Sequence, residues 1–195
     1  MSAPFALYLA SRSPRRRELL DQIGLSHQLL PADVVEQPQP DEAPETYVLR
    51  LALDKARTAA AKRPAGDRHP VLGADTVVAL DSAILEKPRD RDHALSMLRR
   101  LSGREHRVLT GVAVTDGDHE ASRLSVSHVH FRAVEEAELR GYVATGEADD
   151  KAGAYAIQGR AALFVTRIDG SHSGIMGLPL YETGELLRPF GIQLP

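Results

Sequence analysis

The chain has 195 residues, of which 43% are hydrophobic and 26% charged, proportions close to those of globular proteins. Its 24 Lys and Arg residues against 27 Asp and Glu residues give a formal net charge of −3, so a general binder of duplex nucleic acid, which needs a basic excess, is not expected. The absence of Cys excludes a disulfide scaffold, a thiolate nucleophile and a zinc site built on cysteine.

The length and the termini limit the class of protein further. A typical domain of roughly 150 residues predicts a single domain over residues 1–195, with two lobes. No apolar run reaches the roughly 18 residues of a membrane span. The N-terminal segment lacks the basic region of a signal peptide. We therefore expect a cytoplasmic protein with no membrane association and no stable nucleic-acid partner.

Apolar periodicity and turn residues predict alternating strands and helices. In chain order, the first half is predicted to form a strand at 5–10, a helix at 14–23, a strand at 25–30, a Pro-rich loop at 31–44, a helix at 45–62 and a strand at 71–80 that pairs with 84–85. The second half is predicted to form a helix at 90–101, strands at 107–115 and 124–131, a helix at 135–145, a Gly-containing loop at 153–159, a strand at 163–168 and a helix at 179–187. Interleaved strands and helices indicate an α/β fold, and the antiparallel-looking central pair indicates a mixed sheet.

The start of the first predicted helix breaks a local rule. Ser13 is a favourable N-cap and Pro14 fits the first helical position, but Arg15, Arg16 and Arg17 follow at once. Cations cost a few tenths to about 1 kcal/mol each there, because the helix macrodipole places partial positive charge at that end. A bound phosphate explains the arrangement, since free backbone N–H groups, serine hydroxyls and guanidinium groups all favour it. Arginines that extend into solvent or pair with acids elsewhere are the alternative.

Asp75 lies inside the strongly apolar third predicted strand. Strict alternation places it on the face of Val71 and Val77, where a carboxylate is costly to bury unless it is paired, binds a metal or opens into a cleft. An ordinary strand-end aspartate bonded to a turn or to a lysine is the alternative. Thr76 would point to the opposite face of a regular strand, so a bend or strand end near Gly73 is expected if both line one pocket.

Four further polar residues have weaker individual signals. Glu36 lies in the Pro-rich loop and is interpreted as solvated, and Lys55 lies on a charged helix and is interpreted as a surface residue. Lys87 precedes a proline that would rigidify its approach, and Gln158 ends a Gly-containing loop where a buried amide can read a nucleobase. The run 149–151 is interpreted as a solvated turn.

Six sequence blocks occur in a characteristic order along the chain. They are LASRSPRR at 9–16 followed by ELL at 18–20, GADTVV at 73–78, EKP at 86–88, LSG at 101–103 with His106, DKAGAYAIQG at 150–159 and GLPL at 177–180. Together they resemble the Maf family of nucleoside triphosphate pyrophosphatases, and the resemblance covers essentially the whole chain. A P-loop, a Rossmann glycine fingerprint and a Gly-x-Ser-x-Gly elbow are all missing from the sequence.

The resemblance implies a mixed α/β fold, with a twisted sheet, flanking helices and two lobes around a central cleft, similar to that of inosine triphosphate pyrophosphatases. It also implies a homodimer, as in many family members. The implied reaction cleaves a nucleoside triphosphate between the α and β phosphates and gives the monophosphate and pyrophosphate. The implied cofactor is a divalent cation, Mg or Mn, and the implied role is the removal of unwanted or modified nucleotides.

The same resemblance assigns roles to individual residues. Asp75 is the implied catalytic base and, together with Glu36, lies at the implied metal site. Many members have an acidic pair where this chain has Val35 and Glu36, so this chain departs from the family pattern at the implied metal site. The implied phosphate-binding residues are Ser11, Arg15, Arg16, Lys55 and Lys87.

The implied substrate class comes from the block at 150–159, which resembles the branch that acts on dTTP and UTP. The family's specificity positions correspond to Arg15, Thr76 and Gln158. The amide of Gln158 suits such a base, since its carbonyl can accept from N3–H of thymine or uracil while its NH₂ donates to a ring carbonyl. Two alternatives stay open: a pyrophosphatase for another nucleotide such as 7-methyl-GTP, and a nucleotide-binding regulator of cell division with little turnover.

Overall fold

The computed structural model describes residues 5–194. Over these residues the strands are β1 (Leu7–Leu9), β2 (His27–Leu29), β3 (Val71–Leu80), β4 (Ala83–Leu85), β5 (Glu105–Thr115), β6 (Glu120–Phe131) and β7 (Val165–Asp169). The helices are α1 (Pro14–Gln22), α2 (Pro44–Ala60), α3 (Arg91–Leu101), α4 (Glu136–Ala144), α5 (His172–Met176) and α6 (Leu180–Leu187). Short 3₁₀ turns occur at Ala152–Ala154, Arg160–Phe164 and Arg188–Phe190.

The strands form one mixed sheet in the order β2-β1-β3-β5-β6-β7, and β4 also pairs with β3. Strand β1 runs parallel to both β2 and β3. The remaining pairs, β3 with β4 and with β5, β5 with β6, and β6 with β7, are antiparallel. The long β3, β5 and β6 strands therefore form a rigid centre on which the shorter elements are arranged.

One edge of β3 is open in its middle. Strand β1 pairs with β3 at Val71 and Leu72, and β4 pairs with it at 78–80. Between these contacts, no strand of the described residues lies beside 73–77, although β5 pairs along the whole opposite edge. Side chains from both faces of β3 can therefore reach one opening, which a continuous sheet would separate into two sides.

Helix α2 covers one face of the sheet at close range. Its apolar stripe packs on Val77 and Leu109. A Cβ atom on Gly73 would lie 2.2 Å from the carbonyl oxygen of Ala52, so glycine is what permits this approach. Strand β3 continues through Gly73 without interruption, so the expected bend or strand end there is wrong; the open edge takes its place.

The other face of the sheet carries two apolar clusters at opposite ends of β3 and β5. Leu72 and Val114 belong to the cluster that packs against α1 and α6, whereas Leu80 and Val108 belong to the one that packs against α3 and α4. Helices therefore flank both faces of a mixed sheet, which confirms the predicted α/β fold. The assignment of a single two-lobed domain to 1–195 stays a prediction.

Some boundaries differ from the sequence prediction. Strands β5 and β6 begin earlier, because their hairpin pairs continuously from Glu105 opposite His130 to Thr115 opposite Glu120. Helix α5 is too short to produce a helical period in the sequence. The strand expected at 163–168 begins at Val165, since a 3₁₀ turn precedes it. No helix of residues 5–194 is long and apolar enough to cross a membrane.

Candidate active site

A cleft of about 530 Å³ opens beside the unpaired stretch of β3. Every residue to which the sequence assigned a role in the site contributes to its lining, namely Ser11, Arg15, Arg16, Glu36, Lys55, Asp75, Thr76, Lys87 and Gln158. They come from the β1–α1 junction, the Pro-rich loop, α2, β3, the segment after β4 and the loop before β7. The fold therefore collects in one place groups that are far apart in the chain.

Two carboxylates meet at one lysine in this cleft. Lys55 Nζ lies 2.7 Å from Asp75 Oδ1 and 2.5 Å from Glu36 Oε1. Asp75 and Lys55 are 7% and 8% exposed, so the interpretation of Lys55 as a surface residue is wrong. Close packing of α2 on β3 carries the lysine inward until it reaches the carboxylate. The interpretation of Glu36 as merely solvated is also wrong, since it is half-exposed and paired.

The charge state of Glu36 reflects this pairing. Partial burial opposes its ionisation, but the hydrogen bond and the positive charge of Lys55 outweigh burial, with smaller help from Lys87 and Arg16. The pKa of Glu36 therefore lies below its ordinary value. A carboxylate that stays ionised is available to a cation or to a proton donor.

Arg16 is held by three hydrogen bonds. Its Nε donates to the carbonyl oxygen of Gly177 at 2.7 Å, its Nη1 to Ser11 Oγ at 3.2 Å and its Nη2 to Thr76 Oγ1 at 3.3 Å. Desolvation lowers the pKa of the guanidinium, which remains charged as arginine does in proteins. A fixed and desolvated guanidinium beside a cleft is well suited to bind an oxyanion.

The β1–α1 junction leaves donors free at the helix start. Ser13 occupies the N-cap position, but its side chain makes no capping hydrogen bond. Its backbone N–H donates to Ser11 Oγ at 3.1 Å. The first turn of α1 contains no acidic residue. Arg15 lines the cleft, whereas Arg17 is exposed and lies outside the lining.

The part of the lining near the end of β3 is more open. Lys87 and Gln158 are both exposed. Lys151, interpreted from the sequence as part of a solvated turn, also lines the cleft, and its side chain is 15% exposed. That interpretation is wrong for Lys151, because the chain after it packs onto β3 so closely that a Cβ on Gly153 would lie 2.8 Å from Val78. Its place in the same sequence block as Gln158 is the signal that could have identified it.

A buried aromatic pair supports this open part. Tyr155 is among the residues that line the cleft, and its hydroxyl lies 2.8 Å from His106 Nε2. His106 is 2% exposed, and its Nδ1 has no hydrogen-bond partner among residues 5–194. Desolvation lowers the pKa of His106 from 6.5 to about 4. The imidazole is therefore neutral near pH 7 and serves the packing of this segment.

The family model described as Maf-like protein matches residues 6–190. The chain belongs to the Maf family. Its relatives include proteins named dTTP/UTP pyrophosphatase. The one from Alkalilimnicola ehrlichii is 58% identical over 189 residues, which cover 95% of this chain and 93% of that protein.

Two further relatives named dTTP/UTP pyrophosphatase also cover nearly their whole length. The protein of Aromatoleum aromaticum is 54% identical over 199 residues, with 96% of this chain and 97% of that protein covered. The protein of Escherichia coli O157:H7 is 51% identical over 185 residues, with coverage of 95% and 93%. Among solved structures, the Staphylococcus aureus Ham1 protein aligns with a TM-score of 0.46 and 12% identity over 64% of this chain and 71% of that one.

In this member of the Maf family, the cleft is also lined by a hydrogen-bonded polar pair for which the sequence analysis predicted no role. The Tyr47 hydroxyl donates to Glu86 Oε1 at 3.2 Å, and both residues line the cleft. Burial, together with the nearby carboxylates of Glu86 and Asp75, raises the pKa of Tyr47. The signal for Glu86 is its position beside Lys87 in a Maf sequence block.

The acidic side chains of the Maf cleft are the donors available to a divalent cation. Among residues 5–194, no group of three His, Cys, Asp or Glu side chains could hold a metal ion. Glu36 and Asp75 do converge, since both contact Lys55 Nζ within 2.7 Å. Mg²⁺ is commonly bound by one or two carboxylates together with substrate phosphates and waters. The pair therefore fits a cation that binds together with a phosphorylated substrate.

Proposed function

We propose that this Maf family member hydrolyses dTTP and UTP between the α and β phosphates to the nucleoside monophosphate and pyrophosphate. The observation that carries the proposal is the cleft in which Arg16, Lys55, Asp75 and Glu36 meet. The substrate class rests on the relatives named dTTP/UTP pyrophosphatase, which are 58%, 54% and 51% identical.

The triphosphate would bind to the cationic groups of the lining. Arg15, Arg16, Lys55 and Lys87 offset its negative charges, which would otherwise repel an attacking nucleophile. The hydrogen bonds of Arg16 within residues 5–194 use three of its N–H groups, and a guanidinium has about five, so two remain for phosphate oxygens. Ser11 Oγ accepts from Arg16 and from a backbone N–H, which leaves its own hydrogen to donate.

Asp75 is the proposed general base. Lys55 donates to Oδ1 and fixes the carboxylate, whereas Oδ2 has no hydrogen-bond partner among residues 5–194 and can take a proton from water. That water attacks the α phosphorus directly, and pyrophosphate leaves. Hydrolysis in ¹⁸O-labelled water is expected to place the label in the monophosphate. Label in pyrophosphate would contradict attack at the α phosphorus.

Glu36 and Asp75 are the proposed ligands of a divalent cation, Mg or Mn. When bound, the cation neutralises phosphate charge and polarises the bond that breaks. Both carboxylates contact Lys55 Nζ, which holds them together when no cation is bound. Removal of divalent cations with EDTA is expected to abolish turnover, and added Mg or Mn is expected to restore it. Full turnover in EDTA would exclude this part of the proposal.

The specificity residues are proposed to be Arg15, Thr76 and Gln158. Gln158 is exposed at the cleft, where its amide can offer one acceptor and one donor to the edge of thymine or uracil. A base with the reversed pattern, such as cytosine, pairs only after the amide has turned over, so selectivity requires the amide to be held in the orientation that suits thymine or uracil. Arg15 and Thr76 line the same cleft, and their proposed role is to limit how the nucleoside enters it.

A turnover panel tests the proposal as a whole. Purified protein with Mg or Mn is offered dTTP, UTP, CTP, GTP and 7-methyl-GTP, and pyrophosphate and phosphate are assayed separately. Pyrophosphate release from dTTP and UTP is the expected result. Preference for 7-methyl-GTP would indicate the other Maf branch. Phosphate release would contradict cleavage between the α and β phosphates, and no turnover at all would favour a nucleotide-binding regulator of cell division.

The cellular location and the oligomeric state of the enzyme are part of the same proposal. We infer a cytoplasmic enzyme that acts on free nucleotides, as a homodimer of single-domain chains. Analytical ultracentrifugation of the purified chain at micromolar concentration tests the oligomer, and a monomer under those conditions would exclude it.

A further inference from the structure

Behind Arg16 lies a closed ring of hydrogen bonds, and two of its members, Thr110 and Gly174, lie outside the sequence blocks. Arg16 Nε donates to Gly177 O at 2.7 Å, and the N–H of Gly177 donates to Gly174 O at 3.0 Å. The hydroxyl of Thr110 also donates to Gly174 O, at 2.8 Å. Thr110 Oγ1 lies 2.9 Å from Thr76 Oγ1, which in turn accepts from Arg16 Nη2 at 3.3 Å. The ring therefore begins and ends at the guanidinium.

The direction of each hydrogen bond in this ring is determined by the donor inventory. A carbonyl oxygen can only accept, so the single hydrogen of the Thr110 hydroxyl goes to Gly174. In the contact between the two threonines, Thr76 must then be the donor. Because Thr76 has used its hydrogen, it presents only lone pairs to Arg16 and to the cleft. Thr110 thus decides the polarity of a residue that lines the cleft, although it does not line the cleft itself.

Thr110 is buried, and the packing around it does not require a hydroxyl group. It is 1% exposed and lies on β5 directly opposite Thr76, between the two apolar clusters on that face of the sheet. Valine has nearly the same shape and favours strands at least as well, so the hydroxyl adds nothing to the strand that valine would lack. What the hydroxyl adds is its two hydrogen bonds.

The third side of the ring depends on the backbone at Gly177. This residue has φ +115°, a conformation that side chains rarely adopt, and a Cβ there would lie 3.4 Å from Arg16 Nε. Gly174 and Gly177 are joined through the short helix α5, so Thr110 holds the same segment that carries the Gly177 carbonyl. Two of the three groups that hold Arg16 therefore depend on Thr110.

We propose that Thr110 is a positioning residue: through Thr76 and Gly174 it holds the guanidinium of Arg16 in place for the phosphates. The inference rests on the proposed function only in taking a phosphorylated ligand as the group that Arg16 binds. Without the Thr110 hydroxyl, Thr76 can turn its own hydrogen toward Arg16, and the Gly174–Gly177 segment loses its tie to the sheet.

The test compares Thr110→Val, which removes the hydroxyl, with Thr110→Ser, which keeps it. The matched control is Ser125→Ala: Ser125 pairs with Thr110 on β6 and packs against Gly174, but it is outside the ring. We expect Thr110→Val to lower kcat/KM for dTTP about tenfold or more, the size expected for one hydrogen bond to a charged group. Thr110→Ser and Ser125→Ala should stay within about twofold of the parent chain. If the valine variant does not fold, Thr110→Ala deletes the same hydroxyl without added volume.

Two measurements separate positioning from a structural role. In an Arg16→Lys background, Thr110→Val should cause no further loss of kcat/KM, because its effect passes through Arg16. Calorimetric titration with inorganic pyrophosphate should show about tenfold weaker binding to Thr110→Val than to the parent or to Thr110→Ser.

The outcomes distinguish this inference from the proposed function. Equal kcat/KM and equal pyrophosphate affinity in the parent and Thr110→Val, or losses that add to those of Arg16→Lys, would overturn the role of Thr110. A parent chain that binds pyrophosphate but does not hydrolyse dTTP would contradict the proposed function alone. The pyrophosphate titration would then still decide the role of Thr110.

Discussion

The two parts of the cleft differ in how firmly their polar side chains are held. On the inner wall, which we define as Ser11, Arg16, Lys55 and Asp75, each side chain makes at least one hydrogen bond to another group of the site. On the outer wall, defined as Lys87 and Gln158, both side chains are exposed and neither makes a hydrogen bond among residues 5–194. In the inner wall, Arg16, Lys55 and Asp75 lie on α1, α2 and β3 and only Ser11 lies on a connecting segment, whereas both residues of the outer wall lie on connecting segments.

This difference matches two different tasks. Groups that stabilise developing charge are most effective when they are already oriented, because no free energy is then spent on reorganisation during the reaction. Groups that select a base can become ordered when the ligand binds, because this ordering precedes the chemical step. We therefore expect the chemistry at the inner wall and recognition of the base at Gln158 of the outer wall.

The largest effect is expected from the carboxylate of the inner wall. Asp75→Asn keeps the shape but cannot accept a proton, so kcat for dTTP should fall about 10²- to 10⁴-fold. Asp81→Asn is the control, since Asp81 is exposed and its φ of +56° is tolerated by asparagine. Steady-state pyrophosphate release measures both variants. Near-normal kcat in Asp75→Asn would remove the base from the mechanism.

A smaller loss is expected when the guanidinium of the inner wall is replaced. Arg16→Lys keeps the charge but cannot reach Gly177, Ser11 and Thr76 at once, so kcat/KM should fall about 10- to 100-fold. Arg17→Lys, on the same helix but exposed, should have no effect. If both variants lose activity equally, the loss does not come from the orientation of the Arg16 guanidinium.

On the outer wall, substitution should change selectivity more than rate. Gln158→Ala is expected to reduce the preference for dTTP over CTP about tenfold, since one paired polar edge is lost. The melting temperature should be unchanged, because the side chain is exposed and unbonded among residues 5–194. Gln22→Ala, at the exposed end of α1, is the control. An unchanged ratio of the two kcat/KM values would exclude Gln158 as a base reader.

The smallest effect concerns stability in acid. The pKa of His106 is about 4 in the folded protein and 6.5 ordinarily, so between these values the unfolded chain binds the proton more readily. This contribution to stability is complete above pH 6.5 and is lost as pH falls toward about 4. The free energy of unfolding should fall by about 1 kcal/mol from this group between pH 7 and about pH 5.5.

His106→Gln should remove that part of the pH dependence, whereas the exposed His172→Gln should preserve it. Urea unfolding at a series of pH values measures the slope. The same slope in the parent and in His106→Gln would show that another group is responsible. A loss of Gln158-dependent selectivity in His106→Gln, with kcat for dTTP retained, would indicate that the buried pair with Tyr155 supports the outer wall.

Much of the fold could be predicted from local patterns. The long β3, the helix α2 and the α3–β5 region follow from apolar periodicity, and their bounds differ from the prediction by a few residues. Helix α5 and the 3₁₀ turn before β7 could not be predicted in this way, because such short elements have no period and depend on tertiary contacts.

The residues of the candidate site could be predicted from the sequence, but the contacts between them could not. The arginines at the start of α1 oppose the helix dipole, and the aspartate inside β3 interrupts an apolar strand. These exceptions identified them as candidate site residues. Lys55, Glu36 and Lys151 break no such rule, so composition and spacing placed them in solvent. Thr110 gave no signal at all, since a threonine in a strand is ordinary.

The order of the residues was enough to predict the alternation of strands and helices, the mixed α/β class and the unusual charge at one helix start. The packing of whole elements was needed to show that β1 and β4 leave the middle of β3 open, and that Gly73 lets α2 approach until Lys55 meets Asp75. The physical reason is the range of the forces involved. Periodicity and capping act between residues a few positions apart, whereas the ion pairs and the ring around Arg16 join groups whose distances are set by how whole elements pack.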